Sequence, residues 1–179
     1  MRVHVIDVGQ GSATLLEFPC AAVLIDTGGE DSDQCDSTVL LEVYLADFFA
    51  RRSDLNNRLA ALLLTHPHID HTRGVKSVRD SYAPLNVVTN GEITGSGGAQ
   101  QQMIHQYAEA KEGTVGFQAV RVVDVPAQGL TNSVIDPVDC SAGGGADPLI
   151  RVLWGQVGPS AGWTATDLKN HNNQSLVIR

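Results

Sequence analysis

Cysteine is scarce in this chain: Cys20, Cys35 and Cys140 are the only three among 179 residues. They are odd in number, far apart and never in C-x-x-C spacing. That argues against a thiolate zinc site and gives no indication of a disulfide framework. Cys20 lies in an apolar run and reads as a buried thiol. Long apolar stretches are missing too. No segment reaches the roughly 20 residues a membrane-spanning helix requires. The opening Met1-Arg2-Val3-His4-Val5-Ile6-Asp7 lacks the continuous apolar core of a secretory signal. The expectation is a cytoplasmic protein that does not enter the membrane. Positive charge is the third shortage, with 12 Lys and Arg against 20 Asp and Glu, a formal net charge of -8. Such a chain gains little from the counterion release that drives non-specific nucleic-acid binding. A local basic groove stays open, because half of the Lys and Arg residues fall between Arg51 and Arg79. The acidic excess is partly local as well, with Glu30, Asp31, Asp33 and Asp36 in one loop.

What is present suits one globular domain over residues 1–179. Apolar content is 42%, charged content 18%, and 18 glycines imply many tight turns between short elements. There is no internal repeat, low-complexity tract or linker. Val3 to Val8, Ala13 to Phe18 and Ala21 to Ile25 read as three strands of an antiparallel meander. From Ser37 to about Arg52 the pattern turns helical, with Leu41, Leu45, Phe48 and Phe49 on one stripe and Ser37 as N-cap. Leu59 to Leu64 is an uninterrupted apolar strand, as expected when both faces are buried. A short helix from about Gly74, a strand at Asn86–Thr89 and a helix at 99–111 follow. Ala119 to Val125 reads as strand, residues 126–148 as a long loop, and Ile150–Trp154 and Gln174–Ile178 as the last strands.

The richest stretch is His66-Pro67-His68-Ile69-Asp70-His71, placed directly after the buried strand. In extended backbone, residues i and i+2 project to the same side, so His66 and His68 can reach one cation together. Asp70 and His71 are neighbours, point differently and suit a second ion. Pro67 stiffens the segment by fixing its own φ. Imidazole and carboxylate suit zinc, with manganese or iron as alternatives. Two ions roughly 3.5–4 Å apart can share a hydroxide, water being acidified to a pKa of about 7, so no Ser or Cys nucleophile is needed.

This segment resembles the His-x-His-x-Asp-His motif of the metallo-β-lactamase superfamily. Val5-Ile6-Asp7-Val8-Gly9-Gln10-Gly11 and Leu24-Ile25-Asp26-Thr27-Gly28 resemble the ComEC-like branch, the hydrolase domain of competence proteins, although Ser12 stands where that branch usually has an acidic residue. The resemblance is specific from Val3 to about Asn90 and returns at Asn172-Asn173-Gln174-Ser175-Leu176-Val177. It implies an α+β fold, the metallo-β-lactamase-like αββα sandwich. By the resemblance, His66 and His68 bind the first metal, Asp70 and His71 the second, and Asp70 is catalytic. Asp26 is implied as an outer-shell residue, a role weighed equally against a simple turn former. Asp7 and Gln10 are candidates for the mouth of the site or for a tight turn only.

The family's later ligands, a bridging Asp and a late His, have no counterpart here. The chain is therefore expected to be incomplete, holding the first half of the sandwich and the start of the second. It is either truncated or completed by a partner or a second copy. His171 is a possible further ligand and His105 a weaker one; Asp124, Asp136 and Asp139 qualify by residue type alone. The chain alone is expected to hold at most one ion well and to leave an apolar face uncovered. Arg73, Lys76 and Arg79 recur at three-residue spacing and could draw a phosphate toward the metals, or simply form a solvated helix face. The leading expectation is a metal-dependent hydrolase acting on phosphodiesters through a metal-activated hydroxide. Lactonase, lactamase or thioesterase activity, a catalytically incompetent half-domain that binds a partner, and a regulatory metal sensor remain alternatives.

Overall fold

Of the first strands only Arg2–Val5 (β1) alternates polar and apolar residues; Thr14–Glu17 (β2) carries two adjacent leucines and Ala22–Ile25 (β3) is apolar throughout. A two-residue ribbon, Asp31–Ser32 (β4) with Cys35–Asp36 (β5), leads into helix Ser37–Arg51 (α1). Ala61–Leu64 (β6), Ile69–Thr72 (α2), Val75–Tyr82 (α3), Asn86–Thr89 (β7), Gly98–Ala110 (α4) and Gly116–Ala119 (β8) follow. Val152–Trp154 (β9), Ala165–Lys169 (α5) and Val177–Ile178 (β10) complete the chain. The computed structural model describes residues 1–143, 147–158 and 162–179. The fold is α+β, as its sequence resemblance implies. Its main sheet runs β1-β2-β3-β6-β7-β8, antiparallel through the meander and parallel from β3 onward. Parallel pairing demands crossovers, and α1, α3 and α4 supply them.

Alternation divides the core in two. Leu62 and Leu64 of β6 face the helices, packing with Leu41, Leu45, Phe48 and Ile104. Ala61 and Leu63 face the opposite side, with Val23, Val88, Ile135, Val138, Ile150 and Leu176. The second face of the central strands is therefore covered by the chain beyond Val120, and this part of the expected bare apolar face is not observed. Exposure of large apolar residues persists on the β9–β10 pair, at Leu153 (36%) and Val177 (48%).

Cys20 is not a buried thiol. It is bonded to Cys140, 120 residues away, with a Cα–Cα distance of 5.4 Å. The bridge joins the β2–β3 turn to the layer covering the second face, a proximity no local spacing reveals. Cys35 remains free. The N-cap of α1 is Asp36 rather than Ser37: its Oδ1 accepts from Thr38 N at 2.9 Å and Val39 N at 3.4 Å. Ser37 is fully buried and its hydroxyl has no partner. The strand expected over Ala119–Val125 stops at Ala119, and Val122–Asp124 is a 3-10 turn. Val123 is 75% exposed there and Arg121 pairs with Asp124 instead. Likewise only Val177–Ile178 of the last expected strand is extended, after a 3-10 turn at His171–Gln174. Among the described residues, no helix is long and apolar enough to cross a membrane.

Arg52, just past α1, ties the helix to the meander. Its guanidinium donates to Glu17 Oε1 (2.9 Å), Phe18 O (3.1 Å) and Pro19 O (2.8 Å), with its side chain only 17% exposed. Arg52→Ala is expected to lower stability by about 2–3 kcal/mol in urea unfolding, because it removes the donor from Glu17 Oε1 and from two carbonyls. Burial alone would raise the Glu17 carboxyl; Arg52 and His4 outweigh it and hold it below its ordinary 4.5. The Glu17 contribution is thus complete above pH 4.5 and fades as pH falls through the lower folded value. The destabilisation by Arg52→Ala should shrink over that acid window.

Candidate metal centre

The motif begins where β6 runs out. Thr65 N donates to Asp26 Oδ1 at 2.8 Å, and Thr65 O accepts from Leu176 N at 2.9 Å. Backbone at His68 is still extended (φ -90°, ψ 148°), and the chain then turns into α2. Asp70 and His71 therefore project from a helical turn, whereas His66 and His68 precede it. The turn is gripped by backbone contacts: Ser12 N donates to Asp70 O at 3.0 Å and Thr27 N to His71 O at 2.7 Å. Gly11 and Gly29 allow this approach, since a Cβ at either would overlap the Asp70 backbone.

Three imidazoles converge. His66 Nε2 lies 3.1 Å from His68 Nδ1, and the His66 and His71 ring centres are 4.2 Å apart. The outward nitrogens are occupied. Thr65 Oγ1 lies 3.0 Å from His66 Nδ1, and Asp26 Oδ2 lies 2.7 Å from His71 Nδ1. Asp26, 1% exposed, also accepts from the Thr65 hydroxyl at 2.8 Å. His71 Nε2 is left free, 3.8 Å from Asp70 Oδ2. The C-terminal turn reaches the same place: His171 packs edge-on against His68 with ring centres 5.3 Å apart.

Burial, then His71 and His68, push the His66 imidazole down to about 4, so it is neutral at physiological pH as a metal ligand must be. Burial would also lower His71, but its hydrogen bond to Asp26 and the Asp26 charge prevail and raise it. Burial raises Asp26 against the pull of His71.

Among the described residues, no three His, Cys, Asp or Glu side chains already form a metal cage. The donor set nonetheless fits one. Two nitrogens bound to a tetrahedral zinc at about 2.0–2.1 Å stand roughly 3.3 Å apart, close to the 3.1 Å between His66 Nε2 and His68 Nδ1. Metal-binding imidazoles typically engage their second nitrogen with an oxygen acceptor, as His71 does with Asp26.

Other expected site residues lie in their own neighbourhoods. Asp7 Oδ1 accepts from Gly9 N at 3.3 Å and Gln10 N donates to Glu30 at 2.6 Å, so both side chains belong to an exposed loop that meets the motif through its backbone. Arg73 is paired with Asp31 (3.0 Å), and Lys76 and Arg79 with Asp80 (2.9 and 2.7 Å). The positive cluster read from the sequence is partly neutralised, three cations sharing two carboxylates. His105 bonds Thr89 at 3.0 Å and packs on Phe117. Asp124 pairs with Arg121, Asp139 holds Ser141, and Asp136 is half-buried in the covering layer. Thr65 was not foreseen, because a threonine beside a histidine motif carries no signal of its own.

The family profile described as the metallo-beta-lactamase superfamily matches residues 6–178. Structural similarity extends to a metallo-β-lactamase, SMB-1, bound to 2-mercaptoethanesulfonate, at 23% identity over 48% of this chain and 29% of that one, with a TM-score of 0.35. BJP-1, a subclass B3 enzyme of Bradyrhizobium japonicum, is 20% identical over 48% and 29%, again at 0.35. GOB-18 of Elizabethkingia meningoseptica is 19% identical over 48% and 28%, at 0.35. The matched part of these structures is less than a third of their length. No curated protein matches the sequence.

Proposed function

The chain belongs to the metallo-β-lactamase superfamily, and from that membership we propose that it is a zinc-dependent hydrolase with phosphodiesters as its substrate class. The observation that carries the metal reading is the pair His66 Nε2 and His68 Nδ1, facing each other at 3.1 Å. His66 and His68 would hold one ion with His171 as the third imidazole, and Asp70 with His71 the second. Manganese or iron would suit the same donors. A cation bound there supplies Lewis acidity, polarising the scissile group and acidifying water to a pKa of about 7. The protein supplies orientation. Asp26 fixes the tautomer of His71 by accepting a hydrogen bond from its Nδ1–H, leaving Nε2 with the lone pair for the ion. Thr65 fixes the plane of His66. The Asp70 carboxylate is 37% exposed and can accept a hydrogen bond from a water approaching the cluster.

The phosphodiester choice is supported by the ComEC-like sequence from Val5 to Gly11, not by the basic helix face, whose charges are partly neutralised. A lactonase, lactamase or thioesterase would use the same donors. The second reading, a half-domain without turnover that binds a partner or a second copy, is favoured by the exposed Leu153 and Val177 beside the site's C-terminal turn.

The test is zinc or manganese titration of the purified chain, followed by assay against bis(p-nitrophenyl) phosphate, single-stranded DNA and nitrocefin. Metal-dependent phosphodiester turnover, reduced at least about 100-fold by His68→Ala and by Asp70→Ala, is the expected result. Turnover of nitrocefin alone reassigns the substrate. Metal binding without turnover, with tight self-association in light scattering, favours the half-domain.

A further inference from the structure

A second carboxylate–imidazole pair repeats the arrangement of Asp26 with His71. Glu92 Oε2 lies 2.9 Å from His171 Nδ1, and the two side chains are only 13% and 21% exposed. Both partners are held independently of each other. Glu92 N donates to Asn90 Oδ1 at 3.1 Å, and its carbonyl accepts from Gln101 Nε2. Asn90 and Gln101 are fully buried. Asn90 Nδ2 also donates to Gln174 O at 3.1 Å, docking the turn that carries His171. The Nε2 edge of His171 lies beside Gly95, where a Cβ would come within 3.1 Å of Nε2. Its ring stands edge-on to His68. A pair on the open surface would leave its members in water; this one is largely withdrawn from it and anchored from behind.

We propose that Glu92 is a positioning residue of the metal centre. By accepting a hydrogen bond from Nδ1–H of His171 it selects the tautomer whose Nε2 carries a lone pair, and it orients that nitrogen toward the ion shared with His66 and His68. The proposal rests on the metal-centre reading above. It assigns to the loop after β7 a role parallel to that of Asp26 after β3, so the two peripheral imidazoles are each aligned by a carboxylate at a parallel strand's end.

The test reads the imidazole directly. Long-range 1H–15N NMR of the zinc-free chain is expected to show His171 protonated at Nδ1. In Glu92→Ala that preference should be lost and zinc affinity should fall about 10–100-fold. Glu92→Gln, whose amide oxygen still accepts from Nδ1–H, should keep the tautomer and lose less than about tenfold. The visible bands of the cobalt(II)-loaded chain should change in Glu92→Ala in the same sense as in His171→Gln. Wild-type zinc binding that His68→Ala abolishes, but that is unchanged in Glu92→Ala along with the His171 tautomer, overturns the role of Glu92 alone. A wild-type chain that takes up no zinc overturns this role and the metal-centre reading together. If Glu92→Ala does not fold, His171→Gln decides, and wild-type zinc affinity in that variant overturns the proposal.

Discussion

Removing the Cys20–Cys140 bridge is expected to cost the fold up to about 5 kcal/mol. The size follows from the sequence separation of 120 residues. Untethering so long a loop restores much freedom to the unfolded chain, and the entropy scales with the logarithm of the loop. Native-state contacts should survive the change better than the free energy does. Cys140 is 2% exposed and packs among Phe18, Ala21, Val138 and Ile150. The double variant Cys20→Ala/Cys140→Ala keeps most of that apolar contact and avoids a buried hydroxyl. Urea unfolding with and without a reductant gives the measurement. Wild type in reductant and the double variant in oxidising buffer should share a lowered midpoint. Equal midpoints in all four conditions would show that the bridge does not constrain the unfolded chain. Hydrogen exchange should locate the loss in the layer beyond Val120, which the bridge fastens to the β2–β3 turn, and not in α1 or α3.

The second large effect is expected at Asp26. Its carboxylate accepts from Thr65 N, the Thr65 hydroxyl and His71 Nδ1, all while 1% exposed. Asp26→Ala leaves these donors facing an apolar gap, at about 1–3 kcal/mol for each one left unsatisfied. It also places alanine at φ 57°, a conformation disfavoured by roughly 1–2 kcal/mol for a residue with an ordinary side chain. Asp26→Asn separates the causes. Asparagine tolerates the left-handed backbone and retains one acceptor, so the fold should persist. The charge that raises His71 is gone, and zinc affinity should fall about 10–100-fold. Calorimetric zinc titration and thermal unfolding of both variants read the two consequences apart. Unchanged zinc affinity in a folded Asp26→Asn would mean that His71 orientation does not depend on the carboxylate.

The local patterns were legible along the chain wherever a single element determined its own burial. The stripe of Leu41, Leu45, Phe48 and Phe49 defined α1, and the unbroken apolar run defined β6 as buried on both faces. The histidine motif after β6 was legible for the same reason: ligand-type residues at short spacing meet through backbone geometry alone. Legibility failed where a competing side chain took over. Asp36 displaced Ser37 as the cap because its carboxylate reaches two backbone donors. The apolar residues after Ala119 did not continue the strand, because Arg121 and Asp124 closed a turn and Val123 stayed in water. The basic spacing of Arg73, Lys76 and Arg79 was real, but its charge was partly met by Asp31 and Asp80.

Sequence by itself carried the resemblance to the superfamily, determined the meander and the helical crossovers through periodicity, and marked His66, His68, Asp70 and His71 as the expected ligands. Tertiary structure alone decided that Cys20 meets Cys140, that Asp26 and Thr65 occupy the outward nitrogens of the histidines, and that Glu92 and His171 join them. Those contacts depend on chain segments brought together only when β3, β6 and β7 align in parallel and the C-terminal turn docks across their ends. A one-dimensional pattern holds no record of that alignment, because the free energy that produces it is distributed over the whole buried sheet.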